Sequence, residues 1–188
     1  FADGTLGVLS WEKWLHSQER PPMHELFIDV GATSPENVPV GVGDPAVFDR
    51  PFADLGQRLV SKAMDDRIGC AVAVQALLEI EESPNDLYFV FTTQEEVGTR
   101  GALTAAFGVD PEVGLAVDVT DTGDTPESRP MAVELGKGPA IKVMDSGALA
   151  HPGVKAWMIR TAKNEGIPYQ LEVLEFGGTD AEAMQRSR

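Results

Sequence analysis

From about residue 61 onward the apolar residues of this chain alternate between helical and extended periodicity, and that alternation restricts its fold more than any other feature. The stretch DDRIGCAVAVQALLEIEE opens with acidic residues and continues with a long apolar face. Acidic side chains favour the positive end of a helix dipole, so a helix is expected over residues 66 to 82. DLYFVFTT follows as a strand that is apolar on both faces, the pattern of a central strand covered above and below. A helix in TRGALTAAFG, strands in VGLAVDV and AIKVMD, a helix over PGVKAWMIRTAKNEG closed by Gly166, and a strand in YQLEVLE complete the series. That order predicts an α/β layer architecture around a largely parallel central sheet.

The first fifty residues follow other rules. ELFIDVG and PAVFDR read as short strands, and SPENVPVGVGDP is dense in proline and glycine, with Ser34 and Pro35 placed to start one helical turn. LSWEKWLHSQ has the partial spacing of a short helix and is apolar enough to serve an interface or a small core. The expected division is therefore a small β-rich unit over residues 1–50 and an α/β unit over residues 51–188.

Charge removes several functions from consideration. Asp and Glu number 30 against 15 Lys and Arg, a formal net charge of -15, so neither nucleic acid nor an anionic membrane is an expected partner. No apolar run reaches the roughly 20 residues that a membrane helix requires. Cys70 is the only cysteine, which forbids an internal disulfide and suits a reducing, cytoplasmic setting. Its apolar neighbours predict a buried, inert thiol.

The acidic residues are placed suggestively. Glu95 and Glu96 directly follow the 86–93 strand, Asp118 ends the strand of VGLAVDV, and Asp65 and Asp66 precede the long helix. Ligand sites in open α/β sheets gather beyond the carboxyl ends of strands, so all five carboxylates can meet in one crevice. Each also has a plainer explanation, Asp65 or Asp66 as a helix cap and the glutamates as solvated loop residues. Asp118 fits a plain explanation least, since a carboxylate among apolar neighbours at a buried strand end needs a cation or several donors. Successive residues of a strand point to opposite faces, so Glu95 and Glu96 do different work unless the backbone turns there. A pair of divalent metal ions resolves such crowding, with one glutamate as ligand and the other as proton carrier for a hydroxide held between the metals. The residues alone do not say which glutamate is which.

The segments SKAMDDRIGCAV, YFVFTTQEEVGTRGALTAAF, GLAVDVTDTGDTP, LGKGPAIKV and GIPYQLEVLEFGGTDAEAMQ, in that order and spacing, resemble the M42 metallo-aminopeptidases, the glutamyl and tetrahedral aminopeptidase group. The resemblance spans roughly residues 22 to 188. It implies Asp65 as the carboxylate bridging two metal ions, Glu96 and Asp118 as further ligands, and Glu95 as general base. It implies zinc or cobalt, two ions per subunit, acting on the free amino termini of short peptides. It also implies a homo-oligomer built from dimers, including hollow dodecamers, with residues 1–50 as part of a dimerisation domain. In the family two histidine ligands complete the shell. Neither His16, His24 nor His151 stands in their context, so they are expected outside this stretch, which reads as a fragment lacking both ends and inactive alone. His16 and His24 are expected at the surface, and His151 as a loop residue or a lining of the substrate pocket. In FGGTD, Thr179 or Asp180 is a natural cap for the following helix, and by resemblance both border the active site as substrate contacts. Two other functions fit less well: a glycosidase, which needs carboxyls separated by roughly 5 to 9 Å across a sugar bond, and a metal-free assembly or binding protein.

Overall fold

The computed structural model describes residues 1–11 and 21–187, which form two compact units, Phe1–Lys62 and Ala63–Arg188. The division falls some way past the expected boundary at residue 50, because a short hairpin, strands β3 (Ala53–Asp54) and β4 (Leu59–Val60), belongs to the first unit.

In the first unit β1 (Val8–Trp11) pairs antiparallel with β2 (Leu26–Asp29). Residues 9 to 11 thus lie in a strand rather than at the start of the helix expected in LSWEKWLHSQ. The rest of that stretch, His16 included, lies outside the described residues. Ser34 caps a single 3-10 turn, Pro35–Asn37, and Asn37 Oδ1 accepts from the Ser34 amide at 3.0 Å, the reciprocal arrangement that satisfies both ends of the turn. PAVFDR forms no strand. Its Pro45 has no N–H to donate, and no partner among the described residues supplies a ladder. His24 sits exposed in a 3-10 turn, Met23–Glu25.

The second unit has the alternation expected of an α/β fold. Helix α1 (Met64–Glu79) precedes α2 (Arg100–Val109), β5 (Ala140–Met144), α3 (Pro152–Asn164), β6 (Gln170–Val173) and α4 (Asp180–Ser187). β5 and β6 pair in parallel, with Lys142 opposite Glu172. α3 packs on β5, burying Ala162 and Ile141, and α2 packs on α4, where Ala102, Ala106 and Ala183 are buried. Small side chains permit that close helix approach.

α1 stops three residues short of the expected end. Its carboxyl terminus would have carried Glu79, Glu81 and Glu82, and negative charge opposes the helix dipole there. Ile80 instead turns to extended geometry. α3 closes as expected, with Gly166 at φ +64° and the Ile167 amide reaching back to the Ala162 carbonyl at 2.8 Å. At its other end the His151 Nδ1 accepts from the Gly153 amide at 3.2 Å, so this histidine caps α3 and does not line the cavity described below.

Two expectations are corrected. The runs 86–93 and 113–119 form no ladder with any described strand, and Leu87, Val90, Phe91, Leu115 and Val117 are about half exposed. Apolarity on both faces makes a run competent for a central position, but burial there depends on neighbouring strands that the described residues do not provide. Cys70 is likewise exposed, because much of the apolar surface of α1, Val72 and Leu78 among it, has nothing packed on it.

One backbone approach locks the region that precedes the glutamates. The Gly101 amide donates to the Thr93 carbonyl at 2.9 Å, and a Cβ on Gly101 would stand 2.5 Å from that oxygen. Gly101→Ala in the full-length protein is therefore expected to cost about 1–3 kcal/mol, read as a lower urea midpoint at unchanged slope. Gly108→Ala is the contrast: with nothing within 4 Å of its added Cβ, the more helix-favouring residue should leave stability equal or raise it by about 0.5–1 kcal/mol.

Candidate metal centre

The second unit holds a cavity of about 480 Å³ lined by Asp65, Glu95, Glu96 and Asp118 together with Thr99, Thr120, Asp121, Phe176 and Glu182, among others. Each acid arrives from a separate local device. Asp65 and Asp66 occupy the first turn of α1 with non-helical backbone, and the peptide between them is cis. Asp66 Oδ1 accepts from the Gly69 amide at 3.0 Å, and a Cβ on Gly69 would lie 2.2 Å from the other Asp66 oxygen, so a larger residue there would displace this carboxylate.

Glu95 and Glu96 stand in a 3-10 turn, Glu95–Val97. Gln94 enters it with φ at 59° and Gly98 leaves it with φ at 113°. Left-handed backbone on both sides is the turn that strand alternation alone would not provide, and it lets adjacent glutamates face one cavity. Asp118 Oδ1 accepts from the Val119 amide at 2.8 Å.

Asp65, Asp66 and Asp118 each offer an oxygen within 4.8 Å of the others. Asp66 thus joins the closest trio, and Glu96 stands outside it while lining the same cavity. The residues alone marked both aspartates without ranking them, since a helix cap and a ligand look alike in an Asp-Asp pair, and the resemblance pointed to Asp65 only.

Crowding shows in the acidities. Burial first, and then the charges of Asp118, Asp180, Glu96 and Asp65, push the Glu95 carboxyl up to about 6. Asp118 is also pushed up to about 6, mainly by burial, with Asp66, Asp65 and Asp180 adding to the effect and the Val119 amide opposing it. Asp66 is raised by burial against the opposing Gly69 bond, with repulsion from Asp65 and Asp180 added.

Thr179 and Asp180 are not among the residues that line the cavity, although the Asp180 charge acts on Glu95 and Asp118. Thr179 is buried and its Oγ1 accepts from the Ala181 amide at 3.3 Å, a cap on α4. Asp180 Oδ2 accepts from Thr92 Oγ1 at 2.6 Å, joining α4 to the residues just before the glutamate turn, while its Oδ1 is buried with no hydrogen-bond partner.

Thr120, Phe176 and Glu182 line the cavity without having been singled out beforehand. Thr120 had a usable signal, since it lies two residues beyond Asp118 and so on the same side of an extended run. Glu182 had none: its place depends on glycines remote in sequence, with its Oε2 just where a Cβ on Gly147 would fall. Arg186 Nη2 holds its other oxygen at 2.5 Å, and Arg129 stacks over the Phe176 ring at 4.7 Å.

Similar proteins share this arrangement of segments. A putative aminopeptidase of Acetivibrio thermocellus is 48% identical over 96% of this chain and 55% of its own. The solved structure of an aminopeptidase from the archaeon Desulfurococcus kamchatkensis superposes with a TM-score of 0.88 at 45% identity, covering 94% of this chain and 52% of that one. A Pyrococcus horikoshii peptidase, described as able to assemble into a tetrahedron or a large octahedral shell, superposes with a TM-score of 0.76 at 33% identity, over 94% of this chain and 55% of its own. The chain therefore spans about half the length of the relatives it matches. The sequence profile of the M42 glutamyl aminopeptidases fits residues 3–188, and this chain belongs to that family.

Proposed function

We propose that the protein is a metal-dependent aminopeptidase that removes amino-terminal residues from short peptides, with Asp65, Glu96 and Asp118 as metal ligands and Glu95 as general base. The observation that carries this reading is the collection of carboxylates in one cavity whose lining includes no lysine or arginine among the described residues. Burial, and with it the mutual repulsion of these groups, lifts the carboxyls of Glu95 and Asp118 to about 6, and divalent cations are the partners that offset both effects, the two histidines expected outside this stretch completing the shell for zinc or cobalt. Asp66, whose Oδ1 takes the Gly69 amide, is read as the support of the helix turn, and the family resemblance is what assigns Asp65, Asp118 and Glu96 to the ions.

Two zinc or cobalt ions per subunit, when bound, supply Lewis acidity for the scissile carbonyl and for a water molecule. Glu95 is the proton carrier. Its carboxylate takes a proton from the attacking water and returns it to the leaving amine. The adjacent turn residues fix it beside Glu96, so one short segment orients both groups.

The same reading includes a homo-oligomer built from dimers, acting in the cytoplasm. The exposed Val8, Leu9, Phe27 and Ile28 of the β1–β2 pair are suited to an interface, which supports residues 1–50 as part of a dimerisation domain. The net charge of -15 supports neither nucleic acid nor anionic membrane as a partner, and no described helix is long and apolar enough to cross a membrane.

Glu95→Gln in the full-length protein is expected to keep its metal content and lose turnover of an aminoacyl p-nitroanilide by about 100-fold or more. Glu96→Ala should lose metal as measured by elemental analysis, and equal metal loss in both variants would contradict the division of roles. Chelation of the wild type should abolish turnover, with recovery on adding zinc or cobalt.

A further outcome follows from the acidities. A carboxyl raised in the folded state binds protons that the unfolded chain releases, so its contribution to stability is present at low pH and is lost as pH rises through the window from about 4 to about 6. The metal-stripped protein should therefore gain more in melting temperature from added zinc at about pH 7.5 than at about pH 5. An equal gain at both values would count against metal binding by these groups.

A further inference from the structure

The cavity wall holds a hydroxyl whose only proton is already committed. Thr120 lines the cavity, and its Oγ1 donates to Glu172 Oε1. Glu172 is 2% exposed and stands on β6 beside Lys142 of β5, whose Nζ lies 3.2 Å from Glu172 Oε2. Asp145, equally hidden, takes the amides of Gly147 and Ala148 on Oδ1 at 2.9 and 2.7 Å and keeps Oδ2 3.7 Å from the same Nζ. One ammonium is thus bracketed by two buried carboxylates.

The direction of the Thr120 bond has a chemical consequence. A threonine hydroxyl has one donor and two lone pairs, and an ion-paired carboxylate is an acceptor only. With its proton turned to Glu172, the Thr120 hydroxyl has only lone pairs left for a further partner. It is a neutral acceptor in a place where a further carboxylate would add to the repulsion already felt by Glu95 and Asp118.

We infer that Thr120 is a substrate-binding acceptor, oriented by the buried Glu172–Lys142 pair, that receives an N–H of the amino-terminal residue of a bound peptide. The inference rests on the aminopeptidase reading and deepens it. A free amino terminus carries an ammonium group, which Asp121 and Glu182, cavity carboxylates outside the proposed metal shell, attract. Carboxylates supply that attraction with little directional preference, whereas a hydroxyl fixed by a buried partner accepts along a defined line. Thr120 touches the substrate, and Glu172 acts through Thr120 as a positioning residue.

The test uses the full-length, metal-loaded protein with the aminoacyl p-nitroanilide it turns over fastest from a panel of leucine, lysine and glutamate derivatives, together with calorimetric binding of the matching free amino acid. Thr120→Val removes the hydroxyl and keeps the shape. It is expected to raise KM and the Kd of the amino acid about 10-fold while kcat changes less than about threefold, the mark of binding lost without loss of chemistry. Thr120→Ser should restore both constants. Glu172→Gln, whose amide can donate to the hydroxyl and turn its proton toward the cavity, should raise KM similarly in the wild type and add nothing in Thr120→Val. A Glu172→Gln effect of equal size in both backgrounds, or unchanged KM and Kd in Thr120→Val, would overturn the inference. Thr120→Val leaves the ion pair intact, so it decides the matter even if Glu172→Gln does not fold. A wild type without turnover would sink the aminopeptidase reading. Amino-acid binding weakened in Thr120→Val would in that case still uphold the acceptor, and binding insensitive to the change would remove it as well.

Discussion

Repulsion among carboxylates held in one partly desolvated cavity is the constraint on which the second unit depends. Moving such groups out of water disfavours their charged form, and placing them side by side disfavours it again. Glu95 and Asp118 show the combined result, both lifted to about 6. A chain does not gather acids in this way through helix propensity or packing, since each of these residues could be solvated by a small change of loop. The backbone instead holds them in: a non-helical first turn at Asp65 and Asp66, left-handed residues at Gln94 and Gly98, and a glycine beneath Asp66 where a side chain would displace the carboxylate. What these devices cost in conformational freedom has its return in a site that a divalent cation can neutralise.

Much of this was legible in the sequence because the relevant signals are local. Acids in a first helical turn, a proline and a glycine at the two ends of α3, and two glutamates directly after an apolar run each constrain the chain within a few residues. The ends of α3 and the placement of Glu95, Glu96, Asp65 and Asp118 around one cavity follow from them. The turn at Glu95 was legible only as a condition, since two neighbouring acids share a site if the backbone bends, and Gln94 has no residue-type signature for left-handed geometry.

Other features depended on remote partners and were not legible. Glu182 reaches the cavity over Gly147, and Thr120 finds Glu172 across 52 positions of chain. The apolar runs 86–93 and 113–119 were read for what they require, coverage on both faces, and that requirement says nothing about which segment provides it. The exposure of Cys70 has the same origin in the open face of α1. The parallel β5–β6 pair and the α2–α4 packing, by contrast, find their partners among the described residues.

The bond between Thr92 and Asp180 joins points 88 residues apart in sequence. It fastens the first residue of α4 to the strand-like run three positions before Glu95. The depth to which that glutamate reaches is thus governed jointly by its own turn and by how α4 is seated on α2, so the proton-handling group inherits its alignment from a helix that supplies none of the proposed ligands.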